Sequence, residues 1–193
     1  MKLILGSKSP RRRQLLEEMG LKFEVRVKET DERYPSTYKL EEVSEHIAKV
    51  KAEVLLEDLK EDELILTADT IVCVDDLILG KPVDEHDAQR MFQLLSGRSH
   101  TVITSVCLAN ATFVRIESCK TEVVVKELSM EEINFYISNY KPFDKAGSYG
   151  IQEWFGAIAV GQITGSYNNV VGLPTHLVYK MLTENIDMLN LKL

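Results

Sequence analysis

The segment Leu3-Ile-Leu-Gly-Ser-Lys-Ser-Pro-Arg-Arg-Arg13 runs from apolar residues through small ones into three consecutive cations. A strand that ends in small residues and hands over to a helix presents backbone N–H groups at the positive end of the helix dipole. Ser7 and Ser9 add hydroxyl donors there, and Arg11, Arg12 and Arg13 add planar guanidinium forks, the chemistry that grips phosphate oxygens. Cations in a first helical turn oppose the dipole. Either an anionic ligand or nearby acids such as Glu17 and Glu18 must compensate them.

A second centre is Ala68-Asp69-Thr70, set inside the apolar run Leu64 to Val74. A buried carboxylate without a partner is costly, so Asp69 must face a cleft, a cation or a hydrogen-bond donor. There it can hold a metal or activate water, or it can be a structural Asp bonded to a nearby turn. Gly80-Lys81-Pro82 can send a mobile positive charge into a cleft from a strand end. Gly-rich stretches follow at Lys145-Ala-Gly-Ser-Tyr-Gly-Ile-Gln152 and Gly165-Ser-Tyr-Asn-Asn-Val-Val-Gly-Leu-Pro174. Their glycines permit close backbone approach, and the Gln152 amide pairs a donor with an acceptor, as reading a base edge requires; plain turn chemistry would use the same residues. Neither a Walker loop nor a G-x-G-x-x-G pattern occurs. His100 has no second His at metal spacing and reads as structural.

These side chains need elements to position them. Lys2 to Leu5 reads as a buried strand, and Ser9 caps a helix with Pro10 in its first turn, closed by Gly20. Residues 22 to 28 alternate as a half-buried strand, and residues 29 to 37 form a polar loop. A helix over 40 to 56 carries Val43, Ile47, Val50 and Val54 on one face. Leu64 to Val74 and Leu77 to Leu79 pair through Asp75-Asp76, and Asp84 caps a helix facing inward with Ala88, Met91, Phe92 and Leu95. His100 to Leu108 and Phe113 to Val125 are long strands. Ser129 opens a capping box, residues 145 to 172 read as loop, and Pro174 opens a final helix. The pattern implies an α/β or α+β fold with a mixed sheet, one domain over 1–193 that can divide into two lobes.

The 193 residues carry 23 Lys+Arg against 30 Asp+Glu, a net charge of −7. A field of that sign repels polyanions and argues against a nucleic-acid polymer or an anionic membrane as partner. No apolar run approaches the ~20 residues that span a bilayer. Cys73, Cys107 and Cys119 are odd in number, lack C-x-x-C spacing and sit in strand-like stretches, which fits buried thiols and a reducing cytoplasm.

Taken in order, Ser7-Lys-Ser-Pro-Arg-Arg-Arg, Ala68-Asp-Thr70, Gly80-Lys-Pro82, Leu95-Ser-Gly-Arg98, Asp144-Lys-Ala-Gly147 and Val171-Gly-Leu-Pro174 resemble the motif series of the Maf family over nearly the whole chain. The resemblance implies a nucleoside triphosphate pyrophosphatase, of a family once described as septum-formation inhibitors. It implies a fold akin to the inosine triphosphatases, with a cleft between two lobes. Tyr149-Gly-Ile-Gln152 is similar to the branch associated with dTTP and UTP, although Glu153 and Trp154 stand where that family usually places Gly after the Gln. Carried across by resemblance, Asp69 is the acceptor of the water proton; Arg11, Thr70 and Gln152 choose the substrate; Ser7, Arg12 and Lys81 hold phosphate. Glu32 and Lys51 line the cleft, and Asp69 with Glu32 would hold a divalent cation, Mg²⁺ or Mn²⁺. A homodimer is a further expectation of the resemblance. Two rival readings use the same residues: pyrophosphatase action on another or modified nucleotide, and nucleotide sensing without turnover by a regulator of division.

Overall fold

The computed structural model describes residues 1–185; the last eight residues of the expected 1–193 domain lie outside the described residues. In chain order the elements are β1 (Lys2–Leu5), α1 (Pro10–Glu18), β2 (Phe23–Val25), α2 (Leu40–Leu56), β3 (Glu63–Val74), β4 (Leu77–Leu79), α3 (Glu85–Leu95), β5 (Ser99–Ala109) and β6 (Val114–Val125). Then come α4 (Met130–Tyr140), a 3₁₀ turn at Ala146–Ser148, α5 (Trp154–Ala159), β7 (Val160–Thr164), α6 (Tyr167–Val171) and α7 (Thr175–Asn185). The strands make one mixed sheet in the order β2-β1-β3-β5-β6-β7, with β4 paired to β3. β1 runs parallel to β2 and β3, while β3–β4 and β6–β7 are antiparallel. The α/β fold with a mixed sheet that the sequence pattern implies is the fold observed.

The chain divides into two compact units. The first comprises Met1–Asp69, Thr104–Cys119 and the segment from Gly172 onward; the second comprises Thr70–Ile103 and Lys120–Val171. In the first, Ile4, Ile65, Cys107 and Ala109 of the sheet pack with Ala48, Ala52 and Leu55 of α2. In the second, Phe92 of α3 meets Tyr136 of α4 edge-on at 5.5 Å and Phe155 of α5 at 5.3 Å. That aromatic cluster lets three short helices bury apolar area.

Three expectations need correcting. The strand expected over 22 to 28 is only three residues long. After Arg26 donates its N–H to the Leu5 carbonyl at 3.1 Å, its side chain is drawn to Glu63, and Val27 is exposed. The stretch 145 to 172 is not loop: it holds α5, β7 and α6. β7 faces outward at most positions and the helices span five or six residues, so neither leaves a hydrophobic period to read. α2 has the expected ends, but its buried face is Val43, Ser44, Ile47, Ala48, Ala52 and Leu55, with Val50 and Val54 half-buried. The small residues Ala48 and Ala52 win the inner positions because the helix packs close to the sheet.

Candidate active site

β1 delivers the chain to α1 through Gly6, whose N–H continues the ladder onto the Leu66 carbonyl at 2.9 Å. A Cβ on Gly6 would lie 2.6 Å from Thr67 Cγ2 and 2.7 Å from Leu55 Cδ1, so any larger residue would push the strand end off α2 and β3. Ser7 is buried, and its Oγ accepts from the Ser9 N–H at 3.2 Å. Ser9 caps α1 and Pro10 stands in its first turn, as expected. The Arg12 Nε donates to the Gly172 carbonyl at 2.8 Å, and its Nη1 donates to the Ala68 carbonyl at 2.7 Å and to Ser7 Oγ at 3.4 Å. Those carbonyl dipoles supply part of the compensation that the dipole argument demanded. Burial still pulls the Arg12 pKa below its usual value, opposed by the charge of Asp69.

β3 is buried along its length except at Asp69 and Thr70, which are half-exposed. Thr67 and Asp69 share one face of the strand by its two-residue period. Thr67 Oγ1 donates to the Ala48 carbonyl of α2 at 2.6 Å. From the same helix Lys51 Nζ donates to Asp69 Oδ1 at 2.8 Å and lies 3.1 Å from Glu32 Oε1. The carboxylate therefore faces a cation, one of the three surroundings its burial allowed. Burial raises the Asp69 pKa above the ordinary carboxylate value, while Lys51 and then Arg12 pull it down. A carboxyl biased toward accepting a proton, held at the one break in a buried strand, suits general-base work on water.

Ser7, Arg12, Glu32, Lys51 and Asp69 thus lie together in the first unit, and Arg11 stands one residue before Arg12 on α1. Asp69 and Glu32 are hard oxygen donors gathered on one ammonium, so the spot already selects a cation. Two carboxylates fit Mg²⁺ or Mn²⁺, which complete their shells with water and substrate phosphate. No cluster of three or more His, Cys, Asp or Glu side chains suited to a metal occurs among the described residues.

Thr70, Lys81 and Gln152 belong to the second unit. Lys81 is exposed just after β4, and the preceding Gly80 carbonyl accepts from the Gly147 N–H at 3.0 Å. Gly147 has φ +67°, and a Cβ there would lie 2.9 Å from Val72 Cγ1, so this crossing needs glycine twice over. Gln152 is exposed on the turn that closes with the Glu153 N–H on the Gly150 carbonyl at 3.1 Å. His100 is structural: it is buried, its Nε2 lies 2.7 Å from the Tyr149 hydroxyl, and burial lowers its pKa to about 4. Burial likewise pushes the Cys73 thiol up to about 11 and Cys107 up to about 12, leaving both inert. The sequence reading missed the Ala68 and Gly172 carbonyls as anchors of Arg12, since backbone acceptors carry no residue signature. It singled out Glu153 beside Gln152 but missed Tyr136, and missed that Tyr136 and Lys145 both bond the Glu153 carboxylate.

The family model for Maf-like proteins matches residues 2–185, spanning both units. The chain belongs to the Maf family. Among its Maf relatives, one from Phocaeicola vulgatus is 52% identical over 94% of this chain and 94% of its own length, and one from Flavobacterium johnsoniae is 48% identical over the same shares. Both bear the name dTTP/UTP pyrophosphatase. The Staphylococcus aureus Ham1 protein is a more distant likeness, with 9% identity, a TM-score of 0.46, and coverage of 65% of this Maf chain and 72% of its own. No helix among the described residues is long and apolar enough to cross a membrane.

Proposed function

We propose that this Maf protein hydrolyses dTTP and UTP to the nucleoside monophosphate and pyrophosphate. The observation that carries the reading is Asp69: a carboxylate where, with Thr70, the burial of β3 is broken, held by Lys51, one residue from the carbonyl that fixes Arg12. The close relatives named dTTP/UTP pyrophosphatase support the substrate.

The α1 N-terminus, with Ser7, Arg11 and Arg12, binds and orients the phosphates; Lys81 adds a mobile positive charge. Asp69 accepts a proton from water as its oxygen attacks the α-phosphorus, and the bond from that phosphorus to the bridging oxygen breaks. The charge that develops on the leaving pyrophosphate is neutralised by guanidinium and ammonium groups. Asp69 and Glu32 would hold the divalent cation, Mg²⁺ or Mn²⁺, which supplies charge neutralisation on phosphate and acidifies water when bound. Thr70 and Gln152 select the nucleoside. We take residues 1–193 as one such domain acting in the cytoplasm, the family resemblance adding a homodimer.

A panel of nucleoside triphosphates assayed for pyrophosphate release with Mg²⁺ and Mn²⁺ tests the reading. dTTP and UTP are expected to be the best substrates. Nucleotide binding without pyrophosphate release would replace it with a sensing role, and a preference for another base would overturn the substrate.

A further inference from the structure

Glu153 stands at the N-cap of α5, where a side-chain oxygen ordinarily accepts from the helix's first N–H groups. It does not do so here. Its Oε2 instead accepts a hydrogen bond from the Tyr136 hydroxyl of α4, and its Oε1 lies 3.2 Å from Lys145 Nζ. Lys145 is buried, and its ammonium also donates to Asp144 Oδ1 at 2.8 Å. The same Tyr136 hydroxyl accepts the Gly150 N–H at 2.9 Å. A Cβ on Gly150 would meet the Glu153 carboxyl carbon at 2.8 Å, so the carboxylate lies directly against that backbone.

The turn Gly150–Glu153 is therefore held at both ends by one phenol. Tyr136 ties down its first N–H and its last side chain, Lys145 secures the carboxylate, and the backbone bond from Glu153 to Gly150 closes the loop. Tyr136 is almost wholly buried and packs on Phe92 and Phe155, so it is a rigid anchor. Gln152 is the exposed residue inside this clamp.

We propose that Glu153 is a positioning residue for base selection, fixing the Gln152 turn through Tyr136 and Lys145. This rests on the reading above that Gln152 faces the base. A directional amide discriminates between bases only when its angle is fixed, because a swinging amide can satisfy several donor–acceptor patterns. Glu153 acts through Gln152 and does not touch the nucleotide.

Steady-state kinetics of the full chain on dTTP, UTP and CTP, with melting curves for every variant, test this. Gln152→Ala is expected to abolish the preference for dTTP and UTP over CTP. Glu153→Ala should lower that preference about tenfold, through KM and not kcat, with CTP turnover unchanged. Tyr136→Phe should do the same, and the double variant should be no worse than either single one. Glu153→Gln keeps an acceptor for the phenol and should restore most of the preference. Should Glu153→Ala fail to fold, Tyr136→Phe decides. Selectivity lost in Gln152→Ala but intact in Glu153→Ala and Tyr136→Phe overturns the positioning role alone. Selectivity intact in Gln152→Ala overturns the reading of Gln152, and the positioning role with it.

Discussion

Asp69 and Arg12 stand close together in the first unit and use their charges differently. Asp69 meets one ammonium and keeps a pKa raised by burial, which suits the proton acceptor proposed above. Replacing it by Asn keeps the shape and removes the proton acceptor, so kcat should fall roughly 10²–10⁴-fold while nucleotide still binds, measurable by turnover beside equilibrium binding. Arg12 spends two separate N–H groups on the carbonyls of Gly172 and Ala68. A Lys cannot reach both from one ammonium. Arg12→Lys is expected to cost about 1–3 kcal/mol in denaturant melts, because a buried carbonyl loses its donor, and to lower kcat/KM as well. By its type and place Arg12 reads in the sequence as a candidate phosphate ligand. It could not show the carbonyls, since one of them lies 160 residues away on a backbone that any residue supplies.

Among the elements, the edge of the sheet carries its own lock. β2 ends where Arg26 makes a two-pronged bond to Glu63 at the start of β3, with Nη1 and Nη2 each 2.8 Å from one carboxylate oxygen. Glu63 also accepts the Lys60 N–H at 3.1 Å. The Arg26 bonds hold the Glu63 carboxyl down at about 2, below its ordinary 4.5. A depressed carboxyl stabilises the fold above its ordinary value, and that contribution is lost as pH falls from about 4.5 toward 2. Acid melts should therefore show a loss in that window which Glu63→Gln flattens. At neutral pH Arg26→Ala should cost about 3 kcal/mol, because it leaves a buried charge unpaired. The sequence showed the ends of α2 correctly and the outline of β3 within a residue, because long periodic elements state their own limits. It misjudged which face of α2 turns inward: Ala48 and Ala52 say little about hydrophobicity but much about how near a helix can come. It missed α5, β7 and α6 for a related reason: α5 is held by the aromatic cluster that Phe155 joins, β7 by its ladder to β6, and α6 by the buried Asn169 amide on Val102 and Thr121, none of which leaves a period in the sequence.

Across the whole molecule, an acidic chain of net charge −7 gathers Arg11, Arg12 and Lys51 into one unit with Asp69 and Glu32. That suits a small anion better than a polymer. Both units are discontinuous, so no contiguous fragment consists of either one alone. α7 contributes Leu177, Val178, Met181 and Leu182 to the core of the first unit. A chain ending at residue 171 should therefore lose cooperative melting altogether, by calorimetry or circular dichroism, instead of leaving a folded remnant. The order in which a ribosome makes these residues then acquires meaning. Arg12 leaves the ribosome well before the Gly172 carbonyl that fixes its Nε, which is made 160 residues later. At roughly 5–20 residues per second, the early cationic segment waits on the order of ten seconds for its partner. Chains terminated before Gly172 therefore expose the arginines without the frame that aims them, and the capacity to destroy nucleotides arrives only once Gly172 and α7 have been made.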